Sequence, residues 1–471
     1  MGVAAACGAP STRRRLILCL DGTWNDDRGL AITNVVRLRD MIQPGILDQG
    51  DGSAPVEQRI YYDPGVGTGS DTVEKLLGGS LGLGLGTNVR QAYRFLCQFY
   101  EPGDEILVFG FSRGAFTARS LAGYIGASGL LQRDHCTPEL EARSWANYRT
   151  DPKNRFPAEG VALSAFCHDE VKVALLGVFD TVGTLGIPLE YLNAIGRSRF
   201  RFHDTRLSSA VSVSLQALAV DEKRSAFPPA LWERPFHANN KVVEQVWFPG
   251  VHSDIGGGYE DGGVGAATLR WMLDRIDALG SEHGFRLVLR PGAVDTLKPD
   301  PAAKIHESRT GLLYARDRSR PQIRVIAQQR PKDPGEVRLA ALAPHARPIN
   351  EYVHLGVLRR MAKGLDEDGK PYAPLNMQWL LDALFPSNDP VEERPPIQVG
   401  FIDDRGRWLD WIGDEAAFDE LVDALPERYH AAAKRERAML RRQRPSQRPD
   451  ILGGTPPMAP VPADTPETPP S

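Results

Sequence analysis

The chain has 471 residues, 42% of them hydrophobic and 25% charged, a composition typical of a soluble globular protein and enough length for one large domain with additions or for two or three domains. Its 56 Lys and Arg against 60 Asp and Glu leave a net charge of −4, without the basic surface that phosphate contacts require, so nucleic acid is excluded as a partner. Five cysteines, at positions 7, 19, 97, 136 and 167, build neither a disulfide framework nor a zinc knuckle, which fits a reducing, cytoplasmic compartment.

At the amino terminus Arg13, Arg14 and Arg15 precede the apolar run Leu16 to Leu20, which Asp21 closes. A secretory segment needs about 7 to 15 apolar residues, so no signal peptide is expected. The longest apolar stretch elsewhere, Leu76 to Gly86, falls well short of the roughly 20 residues that span a bilayer. From Leu16 to Leu279 short apolar runs alternate with segments of helical period, the pattern of a mostly parallel sheet with helices on both faces. The strands predicted are Leu16 to Leu20, Ile60 to Tyr62, Glu105 to Phe109, Val173 to Phe179 and Val243 to Phe248. The helices are Asn34 to Ile42, Asn88 to Tyr100, Ala115 to Ile125 and Ala266 to Ala278. Right-handed crossovers then place the strand carboxyl ends on one edge, where functional residues should gather.

Beyond Leu279 the pattern weakens. Strand-like runs (Phe285 to Leu289, Gln322 to Ile326) and helix candidates (Tyr352 to Ala362, Met377 to Leu384) sit among Pro- and Arg-rich stretches. The expected division is a catalytic domain over 14–330, a helical and irregular extension over 331–430, and a tail over 431–471 that is basic, then Pro-rich and disordered.

The strongest chemical signal is Gly110-Phe111-Ser112-Arg113-Gly114, a G-x-S-x-G between a predicted strand and a predicted helix. On such a turn a serine projects its Oγ above the sheet edge, and the following helix directs its positive end at the site. Serine needs a base, and the base an orienting carboxylate. Asp180 follows the strand Val173 to Phe179, and His252 lies on the glycine-rich loop after Val243 to Phe248. The chain order Ser112, Asp180, His252 is that of α/β-hydrolases. His306 is the alternative base and Asp254 the alternative acid, and Asp180 as a plain turn residue is the bland reading.

The first strand ends in Leu20-Asp21-Gly22-Thr23-Trp24-Asn25, where a backbone N–H of Gly22 or Thr23 can stand opposite that of Arg113 as an oxyanion donor. The same motif admits a haloacid-dehalogenase-type phosphatase, but Cys19 occupies the position of that nucleophilic aspartate, so no aspartyl-phosphate can form. A second glycine-rich stretch, Tyr61 to Gly86, lacks the features of phosphate and dinucleotide loops. It reads as a lid or acyl-chain opening, or more simply as close backbone packing. No cofactor and no metal is expected; His252, Asp254 and Asp21 are the one candidate trio for a metal.

Together, Leu18 to Asn25, Asn34-Val35, Tyr62 to Thr68, Gly110 to Ala115, Phe179 to Gly183 and Pro249 to Gly257 resemble, over about residues 14 to 330, an α/β-hydrolase family first catalogued as a domain of unknown function. That family includes phospholipase effectors of bacterial type VI secretion systems. The resemblance implies a Ser-Asp-His triad on Ser112, Asp180 and His252 and hydrolysis of lipid esters, with a lipid or other ester as partner, peripheral membrane contact, and a secretion-system or immunity protein. It also implies export by a signal-independent route. A housekeeping esterase is equally compatible, and a non-catalytic scaffold, with the basic segment Lys434 to Arg448 docking a partner or a lipid surface, is the reading from a different class.

Overall fold

The computed structural model describes residues 13–22, 32–48, 55–65, 82–155, 157–182, 207–225, 227–233, 237–309, 321–330, 338–339, 349–365, 369–387 and 397–443. The strands are β1 (Arg13–Leu20), β2 (Gly45–Leu47), β3 (Val56–Asp63), β4 (Glu105–Phe111), β5 (Val173–Phe179), β6 (Val211–Ala219), β7 (Val242–Phe248), β8 (Gln322–Ile323), β9 (Arg338–Leu339), β10 (Glu351–His354) and β11 (Val399–Ile402). Nine of them form one sheet in the order β11-β10-β7-β6-β5-β4-β1-β3-β2, and β8 pairs with β9 apart from it. Within the large sheet β2 runs antiparallel to β3, and the other pairs are parallel.

Both faces are covered, which is why the central strands read as apolar runs rather than as an alternation. Leu16, Leu18 and Leu20 of β1 pack to one side with helices α2 (Gly82–Phe99) and α3 (Arg113–Ser128), against which α4 (Pro138–Arg149) and α5 (Pro157–Ser164) pack. Ile17 and Cys19 pack to the other with α1 (Asn34–Met41) and, beyond the short helix α6 (His252–Gly256), with α7 (Gly263–His283). Burial pushes the Cys19 thiol up to about 12, so it is an inert core residue. With the serine turn between β4 and α3, the fold is α/β-hydrolase-like.

Three features depart from the sequence reading. β6 was not predicted, because its inward polar residues break the apolar pattern. Ser214 and Gln216 are fully buried, and Gln216 is satisfied by Thr181, Ala230 and Gln245. The segment Tyr352 to Ala362 begins as strand: β10 runs straight into the helix Leu355–Lys363, where His354 Nδ1 accepts the N–H of Gly356. Phe285 to Leu289 forms no strand; it is tied by a bridge from Leu289 to Ile42 and by hydrogen bonds of the Val288 backbone with Gln43 N–H and the Gln58 side chain. The segment read as a helical and irregular extension thus carries helices and also two strands that continue the sheet. It adds a third core around Trp247, Phe401 and Trp411.

The basic helix after Ala431 is present as Glu427–Gln443. Arg437 and Arg441 are engaged within the protein, on the carbonyls of Ile412, Gly413 and Asp414 and on Glu415. Residues 445–471, read as a disordered tail, and the glycine-rich stretch 66–81 lie outside the described residues. No helix among the described residues is long and apolar enough to cross a membrane.

The join between β7 and β10 carries a titratable marker. Glu351 is buried, accepts Trp247 Nε1–H at 2.8 Å and Ala327 N–H at 3.1 Å, and burial raises its carboxyl to about 7. A raised folded value means that the native state keeps a proton the unfolded chain releases from about pH 4.5 upward. Relative to Glu351→Gln, which retains both acceptor contacts, the wild type should lose stability as pH rises from 5 to 8 in urea denaturation. A difference that stays flat across that window would rule out the buried protonated acid.

Candidate active site

Ser112 sits between β4 and α3 with φ 57° and ψ −117°, a conformation that L-residues rarely adopt. The turn is held from below, because Ser112 N–H donates to Phe179 O of β5 at 3.2 Å. Its flanking glycines are required by contact. A Cβ on Gly114 would lie 2.0 Å from Leu20 O, and one on Gly110 would lie 2.5 Å from Gly114 O. Side chains at either position would push the helix off the sheet and the serine with it.

His252 is the first residue of α6, reached through Gly250 at φ 115°. Its Nε2 lies 2.8 Å from Ser112 Oγ, and its Nδ1 lies 2.6 Å from Asp180 Oδ2. The ring is fully buried, flanked by Phe111 and Phe227 at centroid distances of 4.7 and 4.9 Å. Its backbone N–H donates to Glu222 Oε2 at 3.2 Å, and Glu222 is itself clamped by Arg224 and Ser308. Asn34 at the start of α1 ties this helix to α7 by donating to Ile255 O and Gly265 O. Burial lowers the His252 pKa below its ordinary value against the upward pull of Asp180, so the imidazole is neutral at pH 7. With Nδ1–H donating to the Asp180 carboxylate, Nε2 is free to accept a proton from Ser112.

Asp180 ends β5 at φ 39° and is fully buried. Burial alone would raise its pKa, but Arg324 and His252 overcome this and hold the carboxyl well below the usual range. Arg324, 1% exposed, donates from Nη1 to Oδ1 at 2.6 Å and from Nη2 to Oδ2 at 3.0 Å, and Ala219 N–H donates to Oδ1 at 3.0 Å. The same guanidinium reaches Ala219 O and Phe227 O. Sequence reasoning missed Arg324. Its signal is an arginine inside the apolar run Gln322 to Ile326, where burial of the cation calls for strong acceptors such as a carboxylate. The clamp Glu222–Arg224 was missed with β6, since Asp221 to Arg224 reads as a solvated charge run once its strand is unseen.

The remaining candidates separate from this line. His306 Nδ1 lies 2.7 Å from Asp254 Oδ1, and Tyr259 stacks on its ring, so the alternative base and the alternative acid pair with each other away from Ser112. Asp21 accepts from Gly22 N–H at 2.7 Å and from Thr33 and Tyr62, so the trio His252, Asp254 and Asp21 does not converge. Among the described residues no group of three or more His, Cys, Asp or Glu is placed to hold a metal ion. For an oxyanion, Arg113 N–H opens helix α3 and has no intrahelical acceptor. Gly22 lies against Ser112, a Cβ there falling 3.7 Å from Oγ, but its N–H is committed to Asp21. Thr23 lies outside the described residues.

A family model for the type VI secretion phospholipase effector Tle1-like catalytic domain matches residues 14–275. A stretch of 239 residues is 32% identical to Uncharacterized protein YEL023C of Saccharomyces cerevisiae. It covers 46% of this chain and 32% of that protein, so the chain spans about a third of the length of the curated relative it matches. Among solved structures, the Tle1 effector bound to the VgrG spike of the type VI secretion system is 20% identical, with 54% of this chain and 52% of that chain covered at TM-score 0.32. An uncharacterized protein from Pseudomonas aeruginosa is 18% identical, with 61% and 49% covered at TM-score 0.35. The family match takes in Ser112, Asp180 and His252, stops short of Arg324, and spans more than half of the sequence: the chain belongs to the Tle1-like phospholipase effector catalytic domain family.

Proposed function

We propose that the protein is a serine hydrolase that cleaves carboxylic esters of lipids through an acyl-enzyme. The observation that carries this reading is the buried hydrogen-bonded line from Ser112 Oγ through His252 to Asp180. As Oγ attacks the ester carbonyl, its proton passes to Nε2, and Asp180 stabilises the imidazolium and fixes the tautomer. The oxyanion is held by Arg113 N–H, with the Gly22-Thr23 turn as the expected source of a second donor. Each such donor supports about 10²–10³ in rate. His252 then gives the proton to the departing alcohol; it takes another from a water whose oxygen bonds the acyl carbon, and returns it to Ser112 Oγ as the Oγ–acyl bond breaks and the acid leaves.

Backbone strain supports an enzyme over a scaffold. Positive φ at both Ser112 and Asp180 costs of order 1–3 kcal/mol each, which a binding surface has no reason to retain. Lipid as substrate and a type VI secretion component as partner follow from the family.

Ser112→Ala should lower kcat by about 10⁴–10⁶ on short-chain esters and abolish fluorophosphonate labelling; a variant that still labels would move the nucleophile elsewhere. Because burial lowers His252, the acid limb of kcat/KM should fall below pH 6.5, and a limb above pH 7 would contradict the assignment. Arg324→Met leaves Asp180 buried with one partner fewer. It should cost about 3–5 kcal/mol in urea denaturation at neutral pH and move the acid limb upward, since the carboxylate both protonates more easily and pulls harder on the imidazole. Arg324→Lys should fall between. A variant with unchanged stability and an unchanged limb would remove Arg324 from the site.

A further inference from the structure

His252 enters its helix through three consecutive backbone N–H groups, and a different carboxylate accepts each. Gly250 N–H donates to Asp221 Oδ2 at 2.7 Å, Val251 N–H to Asp254 Oδ2 at 2.9 Å and His252 N–H to Glu222 Oε2 at 3.2 Å. Asp221 N–H returns a bond to Gly250 O at 3.0 Å, which closes the turn at φ 115°. Helix α6 has only five residues, and N–H groups at a helix start find no acceptor within the helix. The direction of the His252 ring therefore depends on these three carboxylates as well as on its own ring contacts, and such charge-assisted bonds are about twice as strong as neutral ones.

Each carboxylate is in turn held from beyond residue 275, where the match to the family's catalytic domain ends. Tyr372 Oη–H donates to Asp221 Oδ2 at 3.0 Å. His306 donates twice to Asp254, from Nδ1 to Oδ1 at 2.7 Å and from its backbone N–H to Oδ2 at 3.2 Å. The His306 ring is itself fixed by Tyr259, stacked on it at a centroid distance of 3.5 Å, and by Asp261 at 3.3 Å from Nε2. Ser308 Oγ–H donates to Glu222 Oε1 at 3.0 Å, beside the Arg224 fork. A carboxylate bonded to one N–H alone can still turn about its side-chain bonds. A second partner stops that rotation and so fixes the direction of the N–H as well.

We propose that His306, Ser308 and Tyr372 are positioning residues of the hydrolase: acting through Asp254, Glu222 and Asp221, they hold the 250–252 turn so that His252 Nε2 stays within proton-transfer reach of Ser112 Oγ. This rests on His252 being the base. The part of the chain beyond the family's catalytic domain is then a working part of the active site, although none of these three residues touches the reacting atoms.

The test uses the full chain with a short-chain p-nitrophenyl ester and reads amide hydrogen exchange over 250–252 in parallel. Combining His306→Ala with Tyr372→Phe should lower kcat about a hundredfold and leave KM unchanged, the mark of a displaced catalytic group rather than a damaged binding surface. His306→Asn, whose amide nitrogen stands where the imidazole Nδ1 stood, should recover most of the rate lost in His306→Ala, and Ser308→Thr most of that lost in Ser308→Ala. Tyr429→Phe removes a bond of the same kind, to Asp382 Oδ1 at 2.7 Å, elsewhere in the downstream part; it should lower Tm without changing kcat or the exchange at 250–252. Should the combined variant not fold, Tyr372→Phe alone, which removes one oxygen, should still lower kcat and quicken exchange at Gly250. A loss carried by KM, a loss that Tyr429→Phe reproduces, or no rescue by His306→Asn would overturn the proposal. If the wild type cleaves no ester while exchange at 250–252 still quickens in the combined variant, the hydrolase reading falls and the hold on the turn stands; exchange that does not change overturns that hold whatever the activity.

Discussion

A fully buried carboxylate, Asp180, is the group around which the site is arranged. Its negative charge is held by three donors from separate stretches of chain: the Arg324 guanidinium, the His252 imidazole and the N–H of Ala219 at the end of β6. Without them, burial would force the acid to take a proton, and a protonated acid could not fix the histidine tautomer. The requirement reaches outward. The ring of His252 must be held against Phe111 and Phe227, its backbone against Glu222, and Glu222 against Arg224.

The sheet makes this arrangement possible. β4, β5, β6 and β7 are adjacent and parallel, so Ser112, Asp180, the Ala219 N–H and the loop of His252 all come from carboxyl ends of neighbouring strands. Short spacing between parallel strands then does what long side chains would do less rigidly, and a hydrogen-bonded line forms from residues 72 and 140 positions apart.

How much of this the sequence disclosed depends on how each part signals itself. Ser112, Asp180 and His252 were legible because each follows an apolar strand and sits among turn residues, so position alone singled them out. The G-x-S-x-G glycines were legible for a steric reason that the structure makes explicit at Gly110 and Gly114. β6 was hidden because Ser214 and Gln216 face inward, and the polarity of Gln216 is satisfied by neighbours that no local pattern reveals. β10 and β11 were hidden by brevity, four residues each, with β10 followed directly by helix. Arg324 was hidden because its meaning lies wholly in a contact 144 residues away. Local pattern recovers elements that bury a face, and misses those defined by long-range polar pairing.

The position of Arg324 also orders events in time. During synthesis the serine, the aspartate and the histidine all leave the ribosome before residue 324 does, and the cation that keeps the aspartate ionised is still inside the tunnel or untranslated. The growing polypeptide therefore cannot assemble the described charge arrangement until residue 324 has been made and has cleared the tunnel, and a product cut short before that point would carry every residue of the line without the counter-ion that holds its acid in place.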